Sequence, residues 1–494
     1  RVPSLRLPDP EQHALSLDEL LQYEAVRLFS ERAAAVNPAF HLDETTAQAV
    51  AQICHRLDGI PMAIELAAAR MTSLTAQELT QRLDKRFRVL TGGSRTALPR
   101  QQTLMALLDW SYKLLPPVEA KLLERLSVFS GGWTLAAAER VCSADGVEDW
   151  EVLESLSRLV DKSIVVGEER QGQTRFRLLE SMRQFASEKL QTSGEFDLMR
   201  DRHLAYYLDL VTEAEPHFLS EGQQAWFDRL AVENENLRAV LTWAAESPAH
   251  TASGLHLATM LVWHWWMLST YLEGRGWLQR FLEKSEHETT PAFGKALSAS
   301  ALLAFQHGDA AAAVDYGERA LAIHRALHAT ADIIATIVTL SSALAFRNAP
   351  ERAAELSDEA LLLANDFGDP WLCGFVHMGR GFRAGAMADH ISALVEFRTS
   401  MHYLQQTRDQ ILISGVAPHL GAQLCLEGAL DGAARYLTQG VRLGLSARNR
   451  RILAIAIEGL AWVAVEDAEY ERAARLFGSA LAAEGVFAFF LESG

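Results

Sequence analysis

The 494-residue sequence has no G-x-x-x-x-G-K-[ST] segment, so it lacks the loop that cradles nucleotide phosphates and the hydroxyl that would hold magnesium. Thr91-Gly-Gly-Ser94 is glycine-rich but runs into Arg95 and reads as a linker. Cysteine is scarce. Cys54, Cys142, Cys373 and Cys425 stand far apart, none in a C-x-x-C pair and each within an apolar helical pattern. That usage points to buried free thiols in a reducing, cytoplasmic compartment. No signal peptide opens the chain, which starts at Arg1 without a methionine and so reads as part of something longer. The most apolar run, Leu255 to Leu268, is shorter than a membrane span and is interrupted by His256 and His264, so it is expected to be a buried helix. Positive charge is also in deficit. Lysine and arginine number 46 against 63 acidic residues, a net charge of −17, and residues 201–494 alone hold 22 basic and 35 acidic side chains, a net of −13. Such a surface repels phosphate backbones and favours proteins or small molecules as partners.

What the sequence does have is a period. Ala313, Ala353, Ala393, Ala433 and Ala473 recur every 40 residues. Seven positions on, about two helical turns, stand Ala320, Ala360, Ser400, Gly440 and Ala480. A third ladder, Ala301, Ser341, Gly381, Gly421 and Ala461, lies twelve positions before the first and belongs to a preceding antiparallel helix. Small residues on facing helices permit close packing, and units that cannot bury their apolar faces alone stack into a solenoid. The pattern is that of tetratricopeptide repeats lengthened from about 34 residues. Regular repeats are expected over about 297–484 within a solenoid spanning 195–494.

The first two hundred residues are different. Val2 to Pro10 alternates weakly between prolines and suits an edge strand. Ser16 with Glu19 is a capping-box signal for a helix whose apolar face is Tyr23, Val26, Leu28 and Phe29, ended by Asn37-Pro38. A helix from Asp43 to Leu57 then meets Gly59-Ile60-Pro61, where Gly59 suits a left-handed helix end and Pro61 the first turn of the next helix. Spacing alone makes this a tight helix–helix corner. From Gln101 to Leu115 runs an amphipathic pattern stopped by Pro116-Pro117; helices at Val118–Val128, Thr134–Cys142 and Trp150–Leu159 precede an alternating hairpin around Gln171-Gly172. Helices followed by a hairpin describe a winged helix over residues 98–194. The helix that would enter a DNA groove carries Asp149, Glu151 and Glu154 against Arg158 and Lys162, which argues against phosphate contact.

The run Leu57-Asp-Gly-Ile-Pro-Met-Ala-Ile-Glu-Leu-Ala-Ala-Ala-Arg70 resembles the G-x-P corner of STAND-type signalling ATPases, relatives of the NB-ARC switch proteins, and Leu21 to Ala33 resembles their preceding helix. The resemblance implies that residues 1–97 are the C-terminal helical lid of a nucleotide-binding domain, with Gly59 and Pro61 as adenine-side contacts for ATP or ADP in the full-length parent. It also implies an upstream P-loop domain in cis, a winged helix that docks as an internal clamp, an output domain outside this chain as the route to DNA, and a nucleotide-dependent oligomer. Where NB-ARC relatives have Met-His-Asp after the hairpin, this sequence has Leu178-Leu179-Glu180, without the histidine that reports phosphate. Asn234 to Trp243 and Glu273 to Leu278 resemble the irregular first repeats of the family.

No catalytic set is supported by spacing, and no metal site is expected. His324 and His328 are one helical turn apart but have no third ligand nearby and read as two solvated histidines. Trp263, Trp265 and Trp266 point around one helix and read as core; Arg448, Arg450 and Arg451 read as a solvated turn. The expected fold class is mainly all-α: a helical lid, a winged helix with a short hairpin, and a solenoid of 40-residue repeats. The expected function is the regulatory and sensor arm of a STAND-type bacterial transcriptional regulator, in which a protein or small-molecule inducer on the solenoid controls an ADP/ATP switch. The alternative is a free-standing tetratricopeptide scaffold for protein–protein interaction.

Overall fold

A computed structural model of the protein describes residues 5–8, 17–57, 59, 61–68, 71, 74–83, 108–109, 112–144, 146–162, 164–170, 172–219, 222–285, 289–447 and 449–484. Two compact units divide the chain, Arg1–Tyr206 and Tyr207–Gly494.

The first unit begins with helices α1 (Leu17–Leu20), α2 (Glu24–Val36), α3 (Glu44–Arg56), α4 (Pro61–Ala68) and α5 (Ala76–Leu83). The single helix expected from Ser16 is interrupted at residues 21–23. Ala25, Val26, Phe29 and Ala33, at helical spacing, are the buried face of α2, and the Asn37 N–H closes it on the Ala33 carbonyl. Asp43 caps α3: its carboxylate accepts from the Thr45 and Thr46 amides at 3.0 and 2.9 Å, while Thr46 Oγ1 accepts from the Asp43 amide. Residues 5–8 belong to no strand. Their backbone bonds go to helix ends instead, Leu5 N–H to the Gly59 carbonyl and Ala25 N–H to the Arg6 carbonyl. Ser16, the 91–94 linker, Arg448 and most of the helix expected at Gln101–Leu115 lie outside the described residues.

Next come α6 (Pro117–Leu126), β1 (Trp133–Thr134), α7 (Leu135–Cys142), α8 (Asp149–Asp161), β2 (Val165–Arg170), β3 (Gln173–Leu178) and α9 (Glu180–Ser193). The strands form an antiparallel sheet in the order β1-β3-β2, with Val165 opposite Leu178 and Arg170 opposite Gln173. Leu122, Leu126, Val141, Val152, Leu156 and Leu159 fill the space between helices and sheet. Arg125 is fully buried there; Glu195 and the carbonyls of Cys142 and Ala144 take its guanidinium.

After α10 (Phe196–Ala214) the second unit opens with irregular helices α11 (Gln223–Val232), α12 (Asn234–Glu246), α13 (Thr251–Met260), α14 (Val262–Met267) and α15 (Tyr271–Lys284). Five helix pairs follow: α16 (Pro291–Gln306) with α17 (Ala310–Ala326), α18 (Thr330–Phe346) with α19 (Pro350–Phe367), α20 (Pro370–Ala386) with α21 (His390–Thr407), α22 (Gln410–Leu426) with α23 (Leu430–Ala447), and α24 (Arg450–Glu466) with α25 (Tyr470–Glu484). All five alanines of the first ladder are buried. At Gly381 an added Cβ would lie 2.6 Å from the Phe397 ring, and at Gly421 2.6 Å from Leu437 Cγ; 421 − 381 and 437 − 397 are both 40, so one close approach repeats. The turns repeat too. Residues 308, 348, 388, 428 and 468 all have positive φ, yet only Gly308 and Gly428 are glycine, while Asn348, Ala388 and Ala468 sit near φ 56–57°.

Gly421→Ala should therefore cost about 1–3 kcal/mol by overpacking, whereas Ala388→Gly, which relieves a left-handed alanine, should gain about 0.5–1 kcal/mol; denaturant unfolding of the two variants checks both signs. A second expectation concerns pH. His264 is fully buried with Nε2 2.7 Å from Asn234 Oδ1, and burial pushes its pKa down to about 4. The unfolded chain binds this proton near the ordinary value of about 6.5, so stability from the neutral ring is complete above about 6.5 and is lost as pH falls toward about 4, by about 1.4 kcal/mol per unit. Unfolding midpoints measured between pH 7 and 5 should fall, and His264→Gln should flatten that slope.

Candidate functional site

Three features of the described residues bear on function: the Gly59–Pro61 corner, the exposed face of α8, and the inner face of the repeat array.

At the corner, Gly59 has φ +64° and its N–H reaches back to the Cys54 carbonyl at 3.3 Å. Its carbonyl accepts the Leu5 amide at 2.8 Å, and a Cβ on Gly59 would collide with the Leu5 carbonyl oxygen. The need for glycine thus comes from a left-handed backbone and from the chain's own opening segment, independently of any ligand. Pro61 begins α4 and is half-buried. The neighbouring Cys54 thiol donates to the Ala25 carbonyl, and burial pushes its pKa up to about 12, which makes it inert.

On α8 the five charges expected from the sequence are present, but the cations are already engaged. The Lys162 ammonium pairs with Glu119 of α6, and Arg158 pairs with Glu154 and approaches Glu119 at 3.9 Å. Glu119 is buried, so these cations offset a desolvated carboxylate. Beside them Trp150 is 72% exposed and Leu153 49% exposed, three positions apart on one helix face. A large indole left in water beside paired cations is an exposed apolar surface, without the free cations that phosphate contact needs.

Residues 115–191 match a family model described as a winged helix-turn-helix domain. This segment is a winged helix. The chain that carries it is similar to a Mycobacterium tuberculosis H37Rv protein provisionally named an HTH-type transcriptional regulator, 37% identical over 386 residues, 76% of this chain and 42% of that one. It is also similar to a second, uncharacterized protein of the same strain, 45% identical over 186 residues, 37% of this chain and 47% of that one. The chain thus spans less than half the length of these curated relatives. Among solved structures, a STAND protein with a tetratricopeptide repeat sensor from Pyrococcus horikoshii aligns over 95% of this chain and 73% of its own at 13% identity and a TM-score of 0.37. At that score the fold description rests on the helix pairs themselves.

After the winged-helix hairpin, Glu180 begins α9 and is held by side chains of its own first turn. Arg183 donates to its carboxylate at 2.9 and 2.7 Å and Gln184 at 2.8 Å. Burial acts to raise its pKa; Arg183, Gln184 and the charge of His55 on α3 outweigh it, so the carboxyl stays ionised below its usual range.

The inner face of the array is the largest departure from expectation. Inner helices of a solenoid ordinarily keep a solvated side, yet residues 336–344 of α18 are buried without a break, and so are 411–414 and 420–425 of α22. The irregular helices provide the cover. The Trp263 ring meets Trp266 and Trp371 edge-on at 6.3 Å each, and a Cβ at Gly415 would touch Trp266 at 3.7 Å. Trp265 and Trp266 are buried, as expected of core residues. Two N-cap side chains one repeat apart bind the same segment. Asp409, fully buried, accepts from the Ile411 and Leu412 amides of its own helix, from Gln223 Nε2 at 3.2 Å and from Trp371 Nε1 at 2.7 Å, while Gln223 Oε1 accepts the Ile411 amide at 2.9 Å. Asn449 caps α24 through the Ile452 amide, donates to the Trp266 carbonyl at 3.2 Å and accepts from Ser269 Oγ at 3.2 Å. Arg451 is not merely solvated; it donates to the Gln306 carbonyl. His324 is also not solvated: it is buried, with Nε2 3.1 Å from Ser298 Oγ, while His328 occupies the left-handed turn after α17.

The spacing of Asp369, Asp409 and Asn449 before successive inner helices is visible as a sequence ladder of capping residues, but nothing local marks Gln223 as the partner of a residue 186 positions away. For the winged helix, Glu119→Ala should cost about 1–3 kcal/mol because it strips a buried carboxylate from its cations, whereas Trp150→Ala should stay within about 0.5 kcal/mol of the parent; thermal unfolding distinguishes them.

Proposed function

We propose that this chain is the regulatory and sensor arm of a STAND-type bacterial transcriptional regulator. In this reading an upstream P-loop domain binds ATP or ADP, the Gly59–Pro61 corner closes over the adenine side, and the winged helix acts as a clamp on that domain. The solenoid takes the protein or small-molecule inducer. The observation that carries the reading is the face of α8: cations committed to Glu119 and Glu154 beside an exposed Trp150 and Leu153 suit docking on protein better than insertion into a DNA groove. The mycobacterial relative named as a transcriptional regulator supports the regulatory part. DNA contact then belongs to an output domain outside this chain.

Among the described residues of the corner, half-buried Pro61 is the one we assign to the adenine, whereas buried Gly59 acts by letting the backbone turn. Binding at the solenoid changes the switch only if the inducer has different affinity for the two states of the clamp. The compactness of residues 207–494 as a unit of their own favours the alternative of a free-standing scaffold, which predicts no effect of nucleotide.

With the upstream domain restored, Pro61→Ala should weaken adenine nucleotide binding about five- to thirtyfold, the loss of one apolar contact of about 1–2 kcal/mol. Calorimetric titration with ADP checks this. Unchanged affinity would remove the corner from the nucleotide site.

A further inference from the structure

Five helix pairs share one design, so a departure in one of them stands out against the other four. On the second helix of each pair, the position of Ile391 is held elsewhere by Ala311, Glu351, Asp431 and Glu471, and that of Val395 by Asp315, Glu355, Arg435 and Arg475. In the turn before, Met387 stands where the other pairs have His307, Arg347, Glu427 and Asp467. Ile391 is 81% exposed, Val395 56% and Met387 50%. Four positions apart on α21, Ile391 and Val395 share one helix face. We propose that this outward face of the third pair is a docking site for an amphipathic helix of a partner protein, apolar along its contact stripe and carrying lysine or arginine on both flanks.

A single exposed apolar side chain on a surface needs no explanation. Leu362 of α19 is one, with Asp358 and Asp366 a turn to either side. The α21 face is different because its apolar residues are neighbours and the fold does not ask for them. The third pair closes through Gly381 against the Phe397 ring, and the other pairs form with charged or polar residues at the equivalent positions.

The charges beside the face define its guest. Glu351 and Asp431, one repeat before and one after Ile391, are exposed in the first turns of α19 and α23, and neither carboxylate has a hydrogen bond or ion pair among the described residues. Both neighbouring pairs are tied to the third: Arg380 of α20 donates to Asp358 of α19 at 2.6 Å, and Arg398 of α21 donates to Glu427 at 3.1 Å. The cations nearby are engaged, Arg398 in that bond, Arg352 3.8 Å from Glu355, and Arg435 over the Tyr436 ring at 4.8 Å. In the 40-residue frame Ile391 therefore lies between two uncommitted carboxylates. A helix with an apolar stripe and cationic flanks matches this arrangement, whereas a nucleic-acid backbone or an anionic lipid surface is repelled. The face is separate from the Gly59–Pro61 corner and is tested without nucleotide, so its failure leaves the regulatory reading standing.

Fluorescence anisotropy of the full chain with a labelled helical peptide, leucine along one face and lysine on both flanks, tests it. Binding should saturate and weaken with added salt. The double variant Ile391→Glu with Val395→Glu installs the residues that α19 carries as Glu351 and Glu355, so it should unfold at the parent's temperature and bind the peptide about tenfold or more weakly. Leu362→Glu should leave binding unchanged. Glu351→Lys with Asp431→Lys should reverse the preference toward the same peptide with glutamate in place of lysine. The proposal fails if the peptide does not bind, if the α21 double variant binds it as the parent does, or if Leu362→Glu weakens it equally. It also fails if the α21 double variant abolishes self-association of the parent that the peptide cannot compete away, since the face then joins two copies of this chain.

Discussion

The second unit depends on one steric fact: its helices come so close together that positions 381 and 421 have no room for a methyl group. Helices at this separation bury most of their surface against each other, so each pair gains apolar burial without large side chains. Alanine, serine and glycine at 40-residue intervals follow from that geometry, and so does the left-handed turn residue at each end, which brings the chain back antiparallel within two or three residues. A Leu or Phe opposite each gap, as at Leu437 and Phe397, fills what the small residue leaves.

Close stacking also draws the inner helices together and narrows the face they share. An apolar face of that kind is costly in water, at roughly 25 cal/mol for each Å² left exposed. The irregular helices at the start of the unit meet this demand with Trp263 and Trp266, while Trp371 of α20 itself donates its ring N–H to Asp409. Asp409 sits where these demands meet. Burial pushes its carboxyl above the usual range while the Trp371 indole and the Leu412 and Ile411 amides pull it back, so it is costly to bury and well bonded once buried. A polar residue in that position specifies register more than it adds stability: it fixes which point of the array Gln223 meets.

How much of this was legible follows from the range of each signal. The repeats were readable because a period repeated five times needs no knowledge of distant contacts, and the ladders at 301, 313 and 320 all fell in the core. The winged helix was readable because its hairpin and helix boundaries are local. Of the edge strand expected at Val2 to Pro10 the described residues 5–8 belong to no strand, because alternation and prolines do not fix a partner and Leu5 pairs with the Gly59 corner. Helical spacing relates His324 only to His328, whereas its partner Ser298, itself bonded to Thr336, comes from another helix. Gln223 with Asp409, and Asn449 with Trp266, were out of reach for the same reason: both depend on how far the array curves, a sum of small rotations that no single repeat encodes.

Charge links the two units in functional terms. A winged helix that reads DNA must leave cations free to meet phosphate, and a solenoid that wraps nucleic acid must carry net positive charge. Here Lys162 and Arg158 are used inside the first unit, and residues 201–494 carry a net of −13. What is left exposed on α8 instead is apolar, Trp150 and Leu153. The exposed face of α8 and the covered inner face of the array therefore pose the same physical problem, apolar surface beside spent polar groups. On the described residues the repeat unit resolves it through Trp263 and Asp409, whereas on α8 Trp150 and Leu153 stay exposed.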